Sequence, residues 1–385
     1  MITVFLSDWS RSMGEIGITI KPTLSCNMRC KHCFNGKKLN KSKTISVERV
    51  ILLLQKASEE YNTIKITFHG GEPTLAGINF YRKIFDFQRQ KNEESGTIFR
   101  NFFTTNGLLL NEEFIDLLIQ NKTLINVSYD GPYNHVLRQY GDRVLKNIKL
   151  IQAKHGKLRC YCTLSKESYA QLPEIYEWFK AQGIDFKTLP IEKCGYAKED
   201  DSLIMKPKDL VDVFVSVYKN WIYDKDCKIR YYTFEEFSAL RREMQFKSYW
   251  FNRKIALNPD GNIYPFGRPN DVNFCLGTPE TIEKIEDCFR SEKYTKLRGI
   301  LRGFYDTKCQ SCESLGVCNG VAICMTYMYE EDEEILNYSC NQTNMVFQGI
   351  LKVNDEIIRD FKNNNNIDYY TDIVRERFSE YIGRR

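Results

Sequence analysis

The chain has 385 residues, 55 basic and 50 acidic side chains, a formal net charge of +5 and 42% hydrophobic residues. That length calls for two domains rather than one small core, the mild charge does not imply nucleic acid, and no run of about 18 apolar residues offers a membrane span. Met1 to Leu6 is apolar but far too short for a signal peptide, so the 14 cysteines are expected in a reducing cytoplasm, as metal ligands rather than disulfides.

The first half alternates strands and helices. Gly17 to Ile20 reads as a strand that leads into a cysteine loop. Ser46 caps a helix to Tyr61, with Val47, Val50, Ile51 and Leu54 at helical spacing. Strands follow at Ile64–Phe68, Ile98–Thr104, Leu124–Ser128, Leu158–Leu164 and Ile184–Pro190. The helices between them are Asn79–Arg89, Asn111–Gln120, Arg143–His155 and Gln171–Gln182, the last ended by Gly183. Repeated βα units at this spacing predict a parallel sheet covered by helices, with ligands at the carboxyl ends of the strands. Amphipathic helices at Pro207–Asp224 and Phe234–Phe246 bridge to a region of short strands, turns and cysteines from Ile255. A helix to Phe361, an Asn363–Asn366 break and a last helix to Tyr381 close the chain.

Cys26, Cys30 and Cys33 stand at C-x3-C-x2-C spacing, close enough to converge on one iron–sulfur cluster. Three ligands leave one iron of a four-iron cluster open, as a catalytic metal site requires. The alternative is zinc, which wants a fourth ligand; His32 lies between two of the cysteines but is badly placed to join all three. Four further segments stand in order: His69-Gly70-Gly71-Glu72-Pro73 after the second strand, Thr104-Thr105-Asn106-Gly107 after the third, Ser128-Tyr129-Asp130-Gly131-Pro132 after the fourth, then Arg138. Each also reads as an ordinary turn, cap or solvated side chain.

Together these segments resemble the signature of the radical S-adenosylmethionine (SAM) enzymes. The resemblance implies α/β architecture, an open partial (β/α)6 TIM-like barrel, with a [4Fe-4S] cluster on Cys26, Cys30 and Cys33. The open iron would hold the amino and carboxylate groups of SAM, and an electron from the cluster would split SAM to a 5′-deoxyadenosyl radical. Gly70, Gly71 and Glu72 would then serve the SAM amine, Ser128 the ribose and Arg138 the methionine carboxylate; Asn106 belongs to the same set. His32 fills a slot where Tyr or Phe is commoner beside the adenine, and Phe34 either joins it or packs in the core.

Cys309-x2-Cys312-x5-Cys318-x5-Cys324 and then Cys340, preceded by Asn258-Pro-Asp-Gly-Asn-Ile-Tyr-Pro-Phe-Gly-Arg268, resemble the SPASM extension of peptide-modifying radical SAM enzymes, which carries nominally two auxiliary clusters. The implied organisation is a barrel at 1–200, a helical bridge at 201–250, a SPASM-like module at 251–345 and terminal helices at 346–385. Phe266 stands where that pattern has a cysteine, and Ile282 where it has another. Cys309, Cys312, Cys318 and Cys340 form a complete set for one auxiliary cluster. Cys275, Cys288 and Cys324 are displaced ligands of a second cluster or free thiols. The expectation favours a single auxiliary cluster.

The implied activity is a radical SAM oxidoreductase that matures a ribosomally made precursor peptide by an oxidative cross-link, carbon–carbon or thioether. Formylglycine formation in a sulfatase and peptide epimerisation are the alternatives within the class. An iron–sulfur electron-transfer or scaffold protein without SAM chemistry is the alternative outside it. No catalytic base or hydrogen donor is assigned; Cys160, Cys162, Cys194 and Cys227 are unassigned thiols. A flavodoxin- or ferredoxin-type electron donor is an expected partner. The short stretch before the first strand leaves no room for an N-terminal winged-helix peptide-binding domain. Leader recognition is therefore expected from a separate protein or a sheet edge, with Met1–Leu6 as that edge or its cover.

Overall fold

The computed structural model describes residues 14–36, 43–237, 253–266, 272–314, 333–364 and 366–376. The first half runs β1 (Glu15–Ile20), α1 (Val47–Glu60), β2 (Thr63–Phe68), α2 (Ile78–Ser95), β3 (Ile98–Thr105), α3 (Glu112–Gln120), β4 (Leu124–Ser128), α4 (Asn134–Leu137), α5 (Gly141–Ala153), β5 (Leu158–Leu164), α6 (Leu172–Gln182) and β6 (Phe186–Pro190). Local chemistry sets the helix ends. Ser46 accepts the Arg49 N–H, Asn111 accepts the Phe114 N–H, and Gly183 closes α6 at φ 61°.

The six strands are parallel and pair in chain order. Alternation gives each a sealed face and a polar one. Ile16, Ile18, Ile20, Ile64, Ile66, Phe68, Ile125 and Val127 are at most 1% exposed and belong to one continuous core. Thr19, Thr67, Thr104, Ser128 and Tyr161, on the opposite face, stay half-buried. The open parallel sheet is that of a partial barrel, as the βα repeats predict.

Two strands of the cysteine-rich region join this sheet. β7 (Lys254–Leu257) runs parallel to β1, and β8 (Ile263–Pro265) runs antiparallel to β7, giving the order β6-β5-β4-β3-β2-β1-β7-β8. The free side of β1 needs backbone partners. Arg253 O accepts from Gly17 N at 2.9 Å and Leu257 O from Lys21 N at 2.9 Å. The outer edges are also covered. Phe186 N donates to Arg230 O at 3.0 Å, while Ile263 N donates to Gly277 O and Ile263 O accepts from Leu276 N, both at 2.8 Å. The described edges therefore do not offer the row of unpaired backbone groups that strand addition needs.

α7 (Pro207–Ile222) packs on the long α11 (Glu333–Asn364), where Tyr218 Oη donates to Asn354 Oδ1 at 2.7 Å inside the protein. Between them lie α8 (Tyr232–Phe237), α9 (Ile285–Arg290) and α10 (Glu292–Phe304). The helix expected after Cys340 begins before it, at Glu333, so Cys340 sits within a helix. Met1–Leu6, Arg268, Cys318, Cys324 and the far ends of the helices expected to Phe246 and Tyr381 lie outside the described residues.

Candidate cluster and cofactor site

The Gly70-Gly71-Glu72 turn is packed against the segment that leads into the cysteine loop. Gly71 N donates to Thr23 O at 3.0 Å and Glu72 N to Ser25 O at 2.8 Å. A Cβ on Gly70 would collide with Thr23 O, and one on Gly71 with Ser25 O and Leu24 O. Gly70 also sits at φ 131°, which L side chains rarely adopt. The glycines are thus required by backbone–backbone packing.

Glu72 is wholly buried. Its Oε1 accepts from Thr74 N at 3.1 Å, Thr74 Oγ1 at 2.7 Å and Thr105 Oγ1 at 2.7 Å, and its Oε2 accepts from Asn106 N at 2.7 Å. Burial pushes this carboxyl upward, and the donors pull it back. The carboxylate ties the end of β2 to the end of β3, leaving one acceptor position on Oε2. Asn106 carries the connection onward, donating from Nδ2 to Asn27 Oδ1 at 2.7 Å and lying 3.8 Å from Cys26 Sγ.

Arg138 is the second tie. Its Nε donates to Asp130 Oδ2 at 2.8 Å, its Nη2 to Thr163 Oγ1 at 2.9 Å, and its Nη1 lies 3.8 Å from Cys30 Sγ. Nη2 is also 3.2 Å from His32 Nε2. Asp130 Oδ1 accepts from Thr163 N at 2.7 Å. The Asp130 carboxylate therefore links the end of β4 to β5 and aims the guanidinium at a cysteine. Neither Asp130 nor Thr163 stood out in the sequence; the only signal was the Asp within the Ser-Tyr-Asp-Gly-Pro segment. Ser128 ends β4, half-buried, with no hydroxyl hydrogen bond among the described residues. Phe34 packs 5.8 Å from the His69 ring.

The cysteine loop is held from a third side. Tyr196 N donates to Cys33 O at 3.1 Å, and Gly195, at φ 57°, lies so close to Cys33 and Phe34 that a Cβ would collide with both backbones. Lys31 N donates to Leu137 O at 3.1 Å, and the Gln139 amide brackets Arg29, accepting its N–H at 2.8 Å and donating to its carbonyl at 3.2 Å.

Among the described residues, no three or more His, Cys, Asp or Glu groups gather as one metal ion would require. The fit to a larger iron–sulfur group rests on the loop's chemistry. Burial pushes the Cys26 thiol up to about 11, with Glu72, Cys30 and Cys33 adding to the rise; Cys30 and Cys33 are raised by burial too. Burial favours the neutral thiols, so the thiolate form at this loop would require a cation beside it, and iron bound to the three sulfurs would supply that charge. Met28 N donates to Cys26 Sγ at 3.4 Å, and Arg138 stands beside Cys30, so donors to thiolate sulfur are in place. The same loop carries buried side-chain atoms without hydrogen-bond partners on Asn27, His32 and Asn35. An open cleft of about 860 Å³ reaches the loop from outside, lined by Cys26, Asn27, Tyr129, Arg138, Tyr140 and Trp178 among others.

The C-terminal thiols fall into two groups. Cys309 and Cys340 pack on one small apolar cluster with Leu297, Leu301, Leu336 and Phe266, while Cys312 N donates to Cys309 O at 3.0 Å and Cys312 Sγ lies 3.7 Å from Asn344 Oδ1, one helical turn beyond Cys340. Cys288 is instead fully buried in the main core, its thiol pushed up to about 12 by burial; Cys275 is near enough to interact with it.

Residues 20–179 match the Radical SAM superfamily model. The chain is 24% identical over 339 residues to the cysteine-type anaerobic sulfatase-maturating enzyme of Clostridium novyi, covering 80% of this chain and 87% of that protein. Among solved structures, anSMEcpe with bound AdoMet and Cp18Cys peptide superposes with a TM-score of 0.75 at 22% identity, covering 89% of this chain and 99% of that one. Streptococcus suis SuiB bound to the precursor peptide SuiA superposes with a TM-score of 0.60 at 18% identity, covering 83% and 75%.

Proposed function

For a chain that carries a radical SAM domain, we propose the role of a maturase that takes a hydrogen atom from one residue of a peptide or protein and leaves that residue oxidised. The observation that supports this most is similarity along nearly the whole length of sulfatase-maturating relatives, together with a cysteine loop wired to three strand-end motifs. In this reading Cys26, Cys30 and Cys33 hold a [4Fe-4S] cluster. Gly70, Gly71, Glu72, Asn106, Ser128, Arg138, His32 and Phe34 frame SAM, and Cys309, Cys312, Cys318 and Cys340 hold an auxiliary cluster. When bound, these groups supply the electron, the hydrogen-abstracting radical and an electron acceptor.

The chain's own contribution is orientation. Glu72 and Asn106 fix the loop from β3; Asp130 fixes Arg138 beside Cys30; Gly195 presses the loop from behind. Formylglycine formation on a Cys or Ser side chain stands first, because the relatives matched along most of their length are sulfatase-maturating enzymes. An oxidative cross-link in a precursor peptide stands second. The superposition on SuiB bound to its precursor peptide SuiA lends this reading support. Epimerisation stands third: it needs a thiol that returns hydrogen to the substrate, and Cys160, Cys162, Cys194 and Cys227 are all buried. An electron donor of flavodoxin or ferredoxin type and, with the described sheet edges covered, a separate leader-binding protein complete the proposal.

The test is co-expression with a candidate sulfatase or short precursor under anaerobic conditions. Release of 5′-deoxyadenosine is required. A product that reacts with a hydrazide carries an aldehyde and supports formylglycine; a product short of two hydrogens and inert to hydrazide supports a cross-link. Absence of SAM-dependent nucleoside release would reject the proposal.

A further inference from the structure

The sheet face opposite the sealed core carries its charge unevenly. Lateral pairing puts Lys254 of β7, Lys65 of β2, Arg100 of β3, Arg159 of β5 and Lys187 of β6 on that face, and among its described strand residues Glu15 of β1 is the acidic member. Glu15 meets Lys65 at 2.5 Å and lies 4.0 Å from Arg100. Arg159 is held by neutral groups instead. Its Nε donates to Asn126 Oδ1 at 3.0 Å and its Nη2 to Tyr161 Oη at 2.8 Å. Its Cζ lies over the rings of Tyr161 and Tyr232, 4.9 and 4.7 Å from their centroids. Asn126 is only 2% exposed, so this anchor sits inside the protein. The acids nearby are engaged elsewhere: Glu235 pairs with Arg230 at 2.5 Å, and Asp185, which feels Arg159 at longer range, accepts from Arg230 N at 2.8 Å. Among the described residues, none forms an ion pair with Arg159.

A guanidinium has five N–H donors. Arg159 spends Nε and one donor of Nη2, which leaves the Nη1–Nη2 edge, the edge that takes a carboxylate in two parallel bonds. Arg159 pairs laterally with Asn126, and Tyr161 with Ser128. Arg159 therefore stands on the same face as Ser128, one layer of side chains nearer the amino ends of the strands. An extended chain advances about 3.3 Å per residue. A peptide whose reacting residue meets the cofactor beside Ser128 thus brings a near neighbour to the level of Arg159. We propose that Arg159 is a specificity-determining contact of the peptide substrate, its guanidinium receiving a carboxylate close to the residue that is oxidised. That carboxylate is an Asp or Glu side chain or the peptide's own C-terminus. The other cations of this face favour such a segment and oppose a basic one. Asn126 and the two rings hold the guanidinium in place beforehand, so little side-chain freedom is lost on binding.

The inference rests on the reading of the chain as a peptide maturase, and the experiment separates the two. The probes are pools of short synthetic peptides, each with a Cys or Ser at its centre. The acidic pool has Asp or Glu on either side and an amidated C-terminus. The neutral pool has Asn or Gln there, the basic pool Lys or Arg, both also amidated, and the last pool is the neutral one with a free C-terminal carboxylate. The full chain, reconstituted anaerobically, is given SAM and each pool, and modified peptide is measured by mass spectrometry. The acidic pool is expected to exceed the neutral one about tenfold or more in kcat/KM, chiefly through KM. A rise confined to the free-carboxylate pool assigns the C-terminus as the source. Arg159→Gln is expected to abolish the preference, Arg159→Lys to keep part of it, and Arg159→Glu to turn it toward the basic pool. SAM cleavage with no pool modified overturns the maturase reading, and the inference falls with it. Equal modification of all pools by wild type, or a preference that survives Arg159→Gln, makes Arg159 a packing residue and overturns the inference alone. Should the Gln and Glu variants fail to fold, the comparison of pools on wild type and Arg159→Lys still decides.

Discussion

Arg138 and Asp130 form an ion pair inside the protein, Nε to Oδ2 at 2.8 Å, with side chains only 9% and 2% exposed. Burial of the two charges is costly, and the attraction repays it only with good geometry and further hydrogen bonds. Thr163 supplies them, its N–H to Asp130 and its hydroxyl to Arg138. The pair positions a guanidinium beside Cys30 rather than simply holding β4 to β5.

Removal of one partner exposes that investment. Asp130→Ala leaves a buried, unpaired guanidinium, and loss of a partner in such a pair typically costs about 3–5 kcal/mol. Anaerobic melting should therefore fall well below wild type. Asp130→Asn keeps an acceptor for Nε and should recover part of the loss. Equal melting of both variants and wild type would return the pair to a surface-like role.

Glu72→Gln should harm more than SAM binding. Both carboxylate oxygens already accept from the chain, Oε2 from Asn106 N and Oε1 from three donors. Whichever way the amide of Gln turns, its NH2 faces a donor. An unsatisfied buried group costs about 1–3 kcal/mol, so both the melting temperature and SAM affinity should drop. A variant that loses affinity at wild-type stability would assign Glu72 to SAM alone.

Substitution of Cys26, Cys30 or Cys33 by Ala should abolish SAM cleavage, because each removes a thiolate from a three-ligand set. The readout is 5′-deoxyadenosine. Persistent production in the triple variant would end the radical SAM reading of this loop.

Gly195→Ala tests a residue that sequence reasoning passed over. The position has φ 57°, and a Cβ would collide with the Cys33 carbonyl and the Phe34 backbone. The substitution should push the cysteine loop out of place and lower iron retention at the first cluster, read by iron analysis after reconstitution. Full iron retention would mean that the loop tolerates the displacement.

The sequence made some of this legible and hid the rest for physical reasons. Alternating apolar residues and capping side chains revealed β1 to β6 and their helices, because those signals are local; β4 and β5 match residue for residue. The pairing of β7 with β1 was hidden, since a short strand far along the chain carries no mark of its partner. Glu72 and Arg138 stood out within motifs, but their actual partners did not. Thr105, Asp130 and Thr163 are ordinary residues until the strand ends bring them together. Gly195 looked like any turn glycine, and only its distance from Cys33 reveals its purpose.

The C-terminal thiols give the last prediction. Cys309 and Cys340 share one apolar cluster with Phe266, and Cys312 lies one turn from Cys309 and beside Asn344. With Cys318, these would make a fully ligated auxiliary cluster, closed to substrate and part of the folding energy of its region. Cys288 is fully buried in the main core, and Cys275 is near enough to interact with it. Phe266, where the SPASM-like pattern leads one to expect a cysteine, packs on that apolar cluster at φ 61°. Iron analysis of the reconstituted chain should therefore find about eight irons, one radical cluster and one auxiliary cluster. Cys275→Ser and Cys288→Ser should leave that number unchanged, although Cys288→Ser places a hydroxyl in the core and should lower the melting temperature. Cys309→Ala, Cys312→Ala and Cys340→Ala should each lower it toward about four. About twelve irons in wild type, falling on removal of Cys275 or Cys288, would reveal a second auxiliary cluster built on displaced ligands and would overturn the single-cluster reading.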